Sequence, residues 1–311
     1  MKSSFRSIAH SIGLLVGCSI AMGCAIDTSV DESVTEPDGK LGKTTQAWSV
    51  VNHGTTNDLI GVPIEPQVGH TCWLSGVTGD LSKGRQWEPL AVQSTAHVHV
   101  PLGGNQWTLF AHGGAWQNQF NDRVWANNPV FASAVCVQKS TSAGGKWKGR
   151  PTTVTPPQWI TGLGPGGTFS FLRRQCFLSG VVGGDGFWTQ PYNYARVVRV
   201  GANETNPAHP TPGWYVEANM LSTVNGDAYV FASCVDINFA APRFEAQVIG
   251  PSAVPLTNGP GIKNCGLTQI KGAFNKNDWS DGATLASPST QNGQWTLHVS
   301  VGKVADAVCY E

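Results

Sequence analysis

Charge is scarce in this chain. Only 13% of its 311 residues are Asp, Glu, Lys or Arg, and the 20 basic residues are matched by 20 acidic ones. No basic stripe exists to neutralise phosphates, so a nucleic-acid partner is not expected. A membrane-spanning apolar run is also missing. The longest apolar stretch, Ile12 to Gly23, is too short to cross a bilayer as a helix. Catalytic signatures are absent too: no Gly-x-Ser-x-Gly elbow, no Walker loop and no His-Glu-x-x-His. The sequence names no catalytic residue and no cofactor. What is abundant is turn and aromatic material, with 37 glycines, 19 prolines and 12 tryptophans. That composition is too apolar for disorder and suits short strands joined by turns.

The first residues read as an address. Lys2 and Arg6 precede the apolar stretch, and small residues followed by cysteine end it, Ala21-Met22-Gly23-Cys24. A second match, Leu15-Val16-Gly17-Cys18, lies just upstream. Both resemble the lipobox of bacterial lipoproteins, and the resemblance implies lipidation at Cys24 (or Cys18). It also implies a membrane partner through the lipid. Neither cysteine is followed by Asp, which by the same resemblance implies an outer-membrane or cell-surface lipoprotein. Residues 1–23 then form a signal peptide. The polar, aperiodic residues 24–47 form a tether.

Six cysteines remain: Cys72, Cys136, Cys176, Cys234, Cys265 and Cys309. An even number in an exported chain implies disulfides. An internal repeat narrows their pairing. Cys72-Trp73-Leu74-Ser75-Gly76-Val77 is echoed by Cys176-Phe177-Leu178-Ser179-Gly180-Val181 and by Cys265-Gly266-Leu267-Thr268-Gln269-Ile270. A tryptophan follows each (Trp87, Trp188, Trp279), then a second (Trp107, Trp214, Trp295), and each copy closes on a small-residue strand carrying the second cysteine. Two pairings respect the repeat. Either opening and closing cysteines join within each copy (Cys72–Cys136, Cys176–Cys234, Cys265–Cys309), or each closing cysteine joins the next opening one. The first is simpler, and each bridge is then worth roughly 3–4 kcal/mol in the chain-entropy model.

Each copy reads as about four strands. The expected fold is therefore all-β: three four-stranded repeats, one disulfide each, in a pseudo-threefold body. The expected boundaries are 48–137, 169–237 and 261–311, with linkers at 138–168 and 238–260. This plan resembles the threefold β-prism and β-trefoil lectins in organisation alone. The sugar-binding motifs of both families are absent, so no binding residue carries over.

The resemblance implies a surface binding protein, with a glycan or another surface molecule as partner. Stacking platforms are sought among the repeated Trp87, Trp188 and Trp279 and the unrepeated Trp116 and Trp125. Repeated tryptophans in small β-units are more often core. Trp147 and Trp159, in linker segments, are further candidates for exposure. No metal site is assigned. The best candidate is His97-x-His99 on one strand face with His112 on the next strand, but Val197 and Arg199 stand at the matching offsets of the second copy. Asn275, Asn277, Asp278 and Asp281 form a loose calcium-loop pattern that reads as a turn. The competing roles are an envelope assembly subunit and, least favoured, a metal-dependent enzyme.

Overall fold

The protein is described by a computed structural model covering residues 48–55, 61–82, 93–113, 115–117, 123–125, 130–149, 154–164, 172–183, 188–220, 227–238, 243–256, 264–276, 278, 280–286 and 294–310. The signal peptide, both lipobox cysteines and the tether lie outside these residues. All regular structure among the described residues is β, and every strand pair is antiparallel. The first segment runs β1 (Trp48–Thr55), β2 (Val62–Pro66), β3 (Thr71–Gly79), β4 (Thr95–His99), β5 (Gln106–His112), β6 (Ala115–Gln117), β7 (Arg123–Trp125) and β8 (Val130–Val137). The second runs β9 (Ala143–Gly149), β10 (Gln158–Thr161), β11 (Leu172–Val182), β12 (Tyr194–Val200), β13 (Gly213–Asn219) and β14 (Ala228–Asn238). The third runs β15 (Arg243–Ile249), β16 (Ser252–Pro255), β17 (Asn264–Lys271), β18 (Gly282–Ala286), β19 (Thr296–Val299) and β20 (Val304–Tyr310).

The strands form three six-stranded sheets, ordered β1-β8-β3-β18-β19-β16, β2-β5-β4-β11-β14-β9 and β10-β13-β12-β17-β20-β15, with β6-β7 a separate ribbon. Each large sheet joins three strands of one segment to three of another. Segment 1 supplies β4, β5 and β2 to the sheet of segment 2; segment 2 supplies β12, β13 and β10 to that of segment 3; segment 3 supplies β18, β19 and β16 back to segment 1.

Four strands per copy is thereby corrected to six in the large sheets. Of the six extra strands, β1 and β2 precede the first opening cysteine, and β9, β10, β15 and β16 lie in the stretches read as linkers. All six end a sheet, and the four in the linkers have many exposed positions, with glycines in Ala143–Gly149 and a proline in the wholly exposed Ser252–Pro255. Such strands need no continuous apolar face, so they leave little periodic signal.

The cysteines pair within each segment: Cys72–Cys136, Cys176–Cys234 and Cys265–Cys309. In each case the two residues sit directly opposite on adjacent antiparallel strands, with Cα atoms 4.0–4.1 Å apart. That closeness marks the narrow, non-hydrogen-bonded site of a ladder, where cross-strand bridges fit. Three such bridges are compatible with an exported, non-cytoplasmic protein.

Three residues beyond each opening cysteine the register slips, placing Ser75, Ser179 and Thr268 in β-bulges. A bulge adds local twist and lets one strand bend between partners. β3, β11 and β17 use this to pair with a closing strand and also with a strand of another segment.

One apolar core draws on all three large sheets. Residues just after the opening cysteines meet in it. Trp73 stacks on Phe177 at 4.3 Å, Tyr310 packs 6.4 Å from Trp73 and 6.0 Å from Phe177, and Trp73 Nε1 donates to the Cys265 carbonyl at 2.9 Å. The third segment has Gly266 at this place, and only glycine fits. A Cβ there would lie 2.4 Å from Phe177 Cδ1 and 2.4 Å from Trp73 Nε1. Leu74, Leu178 and Leu267, with Val77, Val181 and Ile270, are fully buried around it. The second tryptophans are core as well. Trp107 Nε1 donates to the His70 carbonyl and Trp214 Nε1 to that of Arg174, each two residues before an opening cysteine.

Gly266→Ala forces Trp73 and Phe177 apart and strains the Trp73–Cys265 hydrogen bond. It lowers the unfolding free energy by about 3 kcal/mol, measured by denaturant titration at constant m-value. Replacing either cysteine pair of segments 1 or 3 by alanines costs about 4 kcal/mol in the same assay, since each bridge closes a loop of 64 or 44 residues.

Candidate functional site

Few of the residues sought from sequence present an open face. Trp188 is fully buried, edge-on to Phe274 at 5.3 Å, with a backbone φ of 59°. A tryptophan in the left-handed region is uncommon and is held there by its burial. It offers no ring face to a ligand, which corrects its place among the stacking candidates. Trp147 is buried too, whereas Trp159 is 44% exposed on edge strand β10. Trp116 and Trp125 lie on the β6–β7 ribbon, opposite Val124 and Ala115. Trp87 and Trp279 lie outside the described residues.

The three histidines do not converge as ligands. His97 and His99 stack face to face at 4.5 Å, and both stack on Phe110, at 5.0 and 4.9 Å. Thr95 Oγ1 lies 2.8 Å from His97 Nδ1, and His112 is buried opposite Thr95. No group of three or more His, Cys, Asp or Glu among the described residues is placed to hold a metal. The calcium-like loop is likewise taken up internally. Asp278 accepts from the backbone N–H and hydroxyl of Ser280, and Asp281 accepts from Lys303 Nζ at 2.8 and 3.0 Å.

A different arrangement emerges from the strand register. Ala96, Ala195 and Ala283 occupy corresponding positions, opposite Val181, Ile270 and Val77. The partner of His97 in segment 2 is therefore Arg196, and in segment 3 Thr284; the offset reading that set Val197 and Arg199 against His97 and His99 was one residue out. The side chains on either side of these alanines point away from the buried aliphatic face. Each forms part of a row running straight across a sheet through the residue just beyond the bulge.

The three rows have different chemistry. In the first sheet it runs Ser133, Gly76, Thr284, His298, three small residues and a histidine. In the second it runs Lys146, Phe231, Gly180, His97, Phe110. There Tyr229, Phe231, His97, His99 and Phe110 make a chain of ring contacts, with Lys146 Nζ 4.9 Å from the Tyr229 ring. In the third it runs Gln247, Asp306, Gln269, Arg196, Glu217.

The third row carries the charge. Glu217 is buried between Arg196, whose Nε donates to Oε1 at 2.5 Å, and His209, whose Nε2 lies 2.8 Å from Oε2. His209 reaches it from the loop before β13 and packs edge-on to Tyr215, whose hydroxyl donates to the Thr211 carbonyl. The Arg196 guanidinium lies 5.0 Å from the Tyr194 ring centroid. Partial burial pushes the Asp306 carboxyl above its ordinary value; a hydrogen bond from Gln247 and the Arg196 charge oppose this, and Glu245 reinforces it. Its Oδ1 is buried and has no hydrogen-bond partner.

Sequence reading missed this row because it combines strands of two segments and depends on the bulge. The available signal was the Ser-Gly, Ser-Gly and Thr-Gln steps after the opening Cys-x-Leu motif, which mark where the register slips. No family model, curated protein or solved structure matches the chain.

The histidine stack sets an acid sensitivity. Burial first, then the charges of His99 and His112, push His97 from 6.5 to about 3. Burial also lowers His99. The folded protein keeps His97 neutral where the unfolded chain binds a proton, so stability falls as pH drops from about 6.5 towards 3 and is unaffected above 6.5. His97→Phe keeps the stack and removes this contribution. Its loss of Tm between pH 7 and pH 4 is smaller than the wild type's by calorimetry; an equal loss contradicts the assignment.

Lys303 and Asp281 are 3% and 5% exposed, so neither charge can be rehydrated cheaply. Asp281→Ala leaves Lys303 buried and uncompensated and costs about 3–5 kcal/mol, whereas Asp281→Ala with Lys303→Met recovers most of it.

Proposed function

We propose that the protein is an exported, lipid-anchored surface-binding protein that recognises a glycan or another polar cell-surface molecule. Its body is proposed to be a pseudo-threefold, prism-like ring of three β-units, tethered through Cys24 or Cys18. The observation that carries this reading is the contrast between interior and exterior. Corresponding interior positions repeat the same small and aliphatic residues, while the three corresponding outward rows differ completely. A fold that repeats its core and diversifies its faces supports recognition at those faces rather than a purely structural repeat.

A second reading, as an envelope assembly subunit, is favoured by a separate observation. Phe244, Ile249, Val254 and Val301, at 37%, 67%, 36% and 63% exposure, leave apolar surface on the third segment.

The disulfide-bonded chain from Trp48 to Glu311, applied to a glycan array and to insoluble polysaccharides, binds one sugar class saturably. Absence of binding across a broad panel, with the fold intact by calorimetry, overturns the recognition reading. Concentration-dependent association in sedimentation, relieved by Ile249→Lys, then supports the assembly one.

A further inference from the structure

The row Gln247–Asp306–Gln269–Arg196 has features that a purely structural network does not need. Its members come from four adjacent strands, β15, β20, β17 and β12, and each is the direct register partner of the next. Neighbouring strands lie about 4.8 Å apart, so the side chains form a straight series of polar groups. Access is graded along it. Gln247 is exposed, Asp306 and Arg196 are half-buried, and Gln269 is buried beneath them.

The chemistry is of both signs and both roles. The two glutamine amides can each donate and accept, the carboxylate accepts, and the guanidinium donates. One acceptor is unsatisfied: Asp306 Oδ1 is buried without a partner. A buried acceptor left unpaired costs about 1–3 kcal/mol. Folding nonetheless places this carboxylate near the charge of Glu245.

The ligand class follows from what each alternative meets. A polyanion meets the Asp306 carboxylate, and the Arg196 guanidinium that would attract it is already paired with Glu217. A hard cation needs several oxygen ligands and finds one half-buried carboxylate under the influence of the Arg196 guanidinium. A neutral molecule with adjacent hydroxyls suits the row, since each hydroxyl both donates and accepts. One hydroxyl donates to the half-buried Asp306 carboxylate while its neighbours accept from Arg196 or from a glutamine amide.

We infer that Gln247, Asp306, Gln269 and Arg196 form a binding site for a neutral, hydroxyl-rich ligand, a sugar residue of a glycan. The site is single, because the corresponding rows are Lys146–Phe231–Gly180–His97 and Ser133–Gly76–Thr284. The inference rests on the recognition reading above and assigns it to one place.

The test titrates the disulfide-bonded full chain calorimetrically with glucose, galactose, mannose, N-acetylglucosamine and their oligomers, alongside Asp306→Asn and Gln247→Ala. A neutral sugar binds the wild type; Asp306→Asn weakens it at least tenfold and Gln247→Ala severalfold. Asp306→Asn also keeps or raises Tm at pH 7, because an ionised carboxyl with a raised pKa opposes folding above its ordinary value. A carboxylate with a purely structural role gives a lower Tm and unchanged affinity in the folded variant. Gln247 is exposed, so Gln247→Ala reports on binding even where Asp306→Asn fails to fold.

Wild-type binding unaltered in both variants overturns this site and leaves the recognition reading standing. Binding of acidic glycans alone overturns the ligand class. A Tm shift with Ca²⁺ that Asp306→Asn abolishes makes the row a cation site and overturns the inference. No wild-type binding to any glycan overturns the recognition reading and this site with it.

Discussion

The structure depends on the fact that no segment completes its own sheet. β3, β11 and β17 each pair on one side with the closing strand of their own segment and on the other with a strand from elsewhere in the chain. Backbone groups along such a strand are satisfied on both edges only when a second segment is in place. Apolar burial follows the same rule. Trp73, Phe177 and Tyr310 come from three different segments and find one another in one core, with Gly266 leaving the room that this contact needs. Sequence-distant contacts of this kind carry a large loop-closure cost, which the three disulfides reduce by shortening the free chain.

That arrangement separates stability from surface chemistry. The bulges at Ser75, Ser179 and Thr268 let each central strand turn towards its second partner, and they also place the next residue, Gly76, Gly180 or Gln269, at the centre of an outward row. Two of these are glycines. At Gly180 a Cβ would lie 2.4 Å from the His97 Cβ, so the aromatic row over it closes tightly. At Gln269 a full polar side chain takes that place. The same backbone therefore carries a tightly packed ring stack on one sheet and a row of hydrogen-bonding groups on another.

Much of the framework could be read from the sequence. The cysteine pairing followed from the order of opening and closing motifs, and Trp107, Trp214 and Trp295 are core as their recurrence suggested. The strand count could not be read, because β9, β10, β15 and β16 are sheet edges with many exposed positions, and so lack a continuous apolar face. The candidate site could not be read either. Arg196 and Asp306 are 110 residues apart in the sequence, and a one-residue bulge displaces every offset counted from the cysteines. Trp188 misled because its recurrence suits a stacking platform as well as a core position, and burial against Phe274 makes it core.

Native-state hydrogen exchange on the disulfide-bonded chain tests the interdependence of the segments most directly. If each sheet needs two segments, amides of β3, β11 and β17 exchange through one global opening, with the same free energy and the same denaturant dependence. If the amides of one central strand open at a distinctly lower free energy while the other two stay protected, the segments are separate folding units and the account fails.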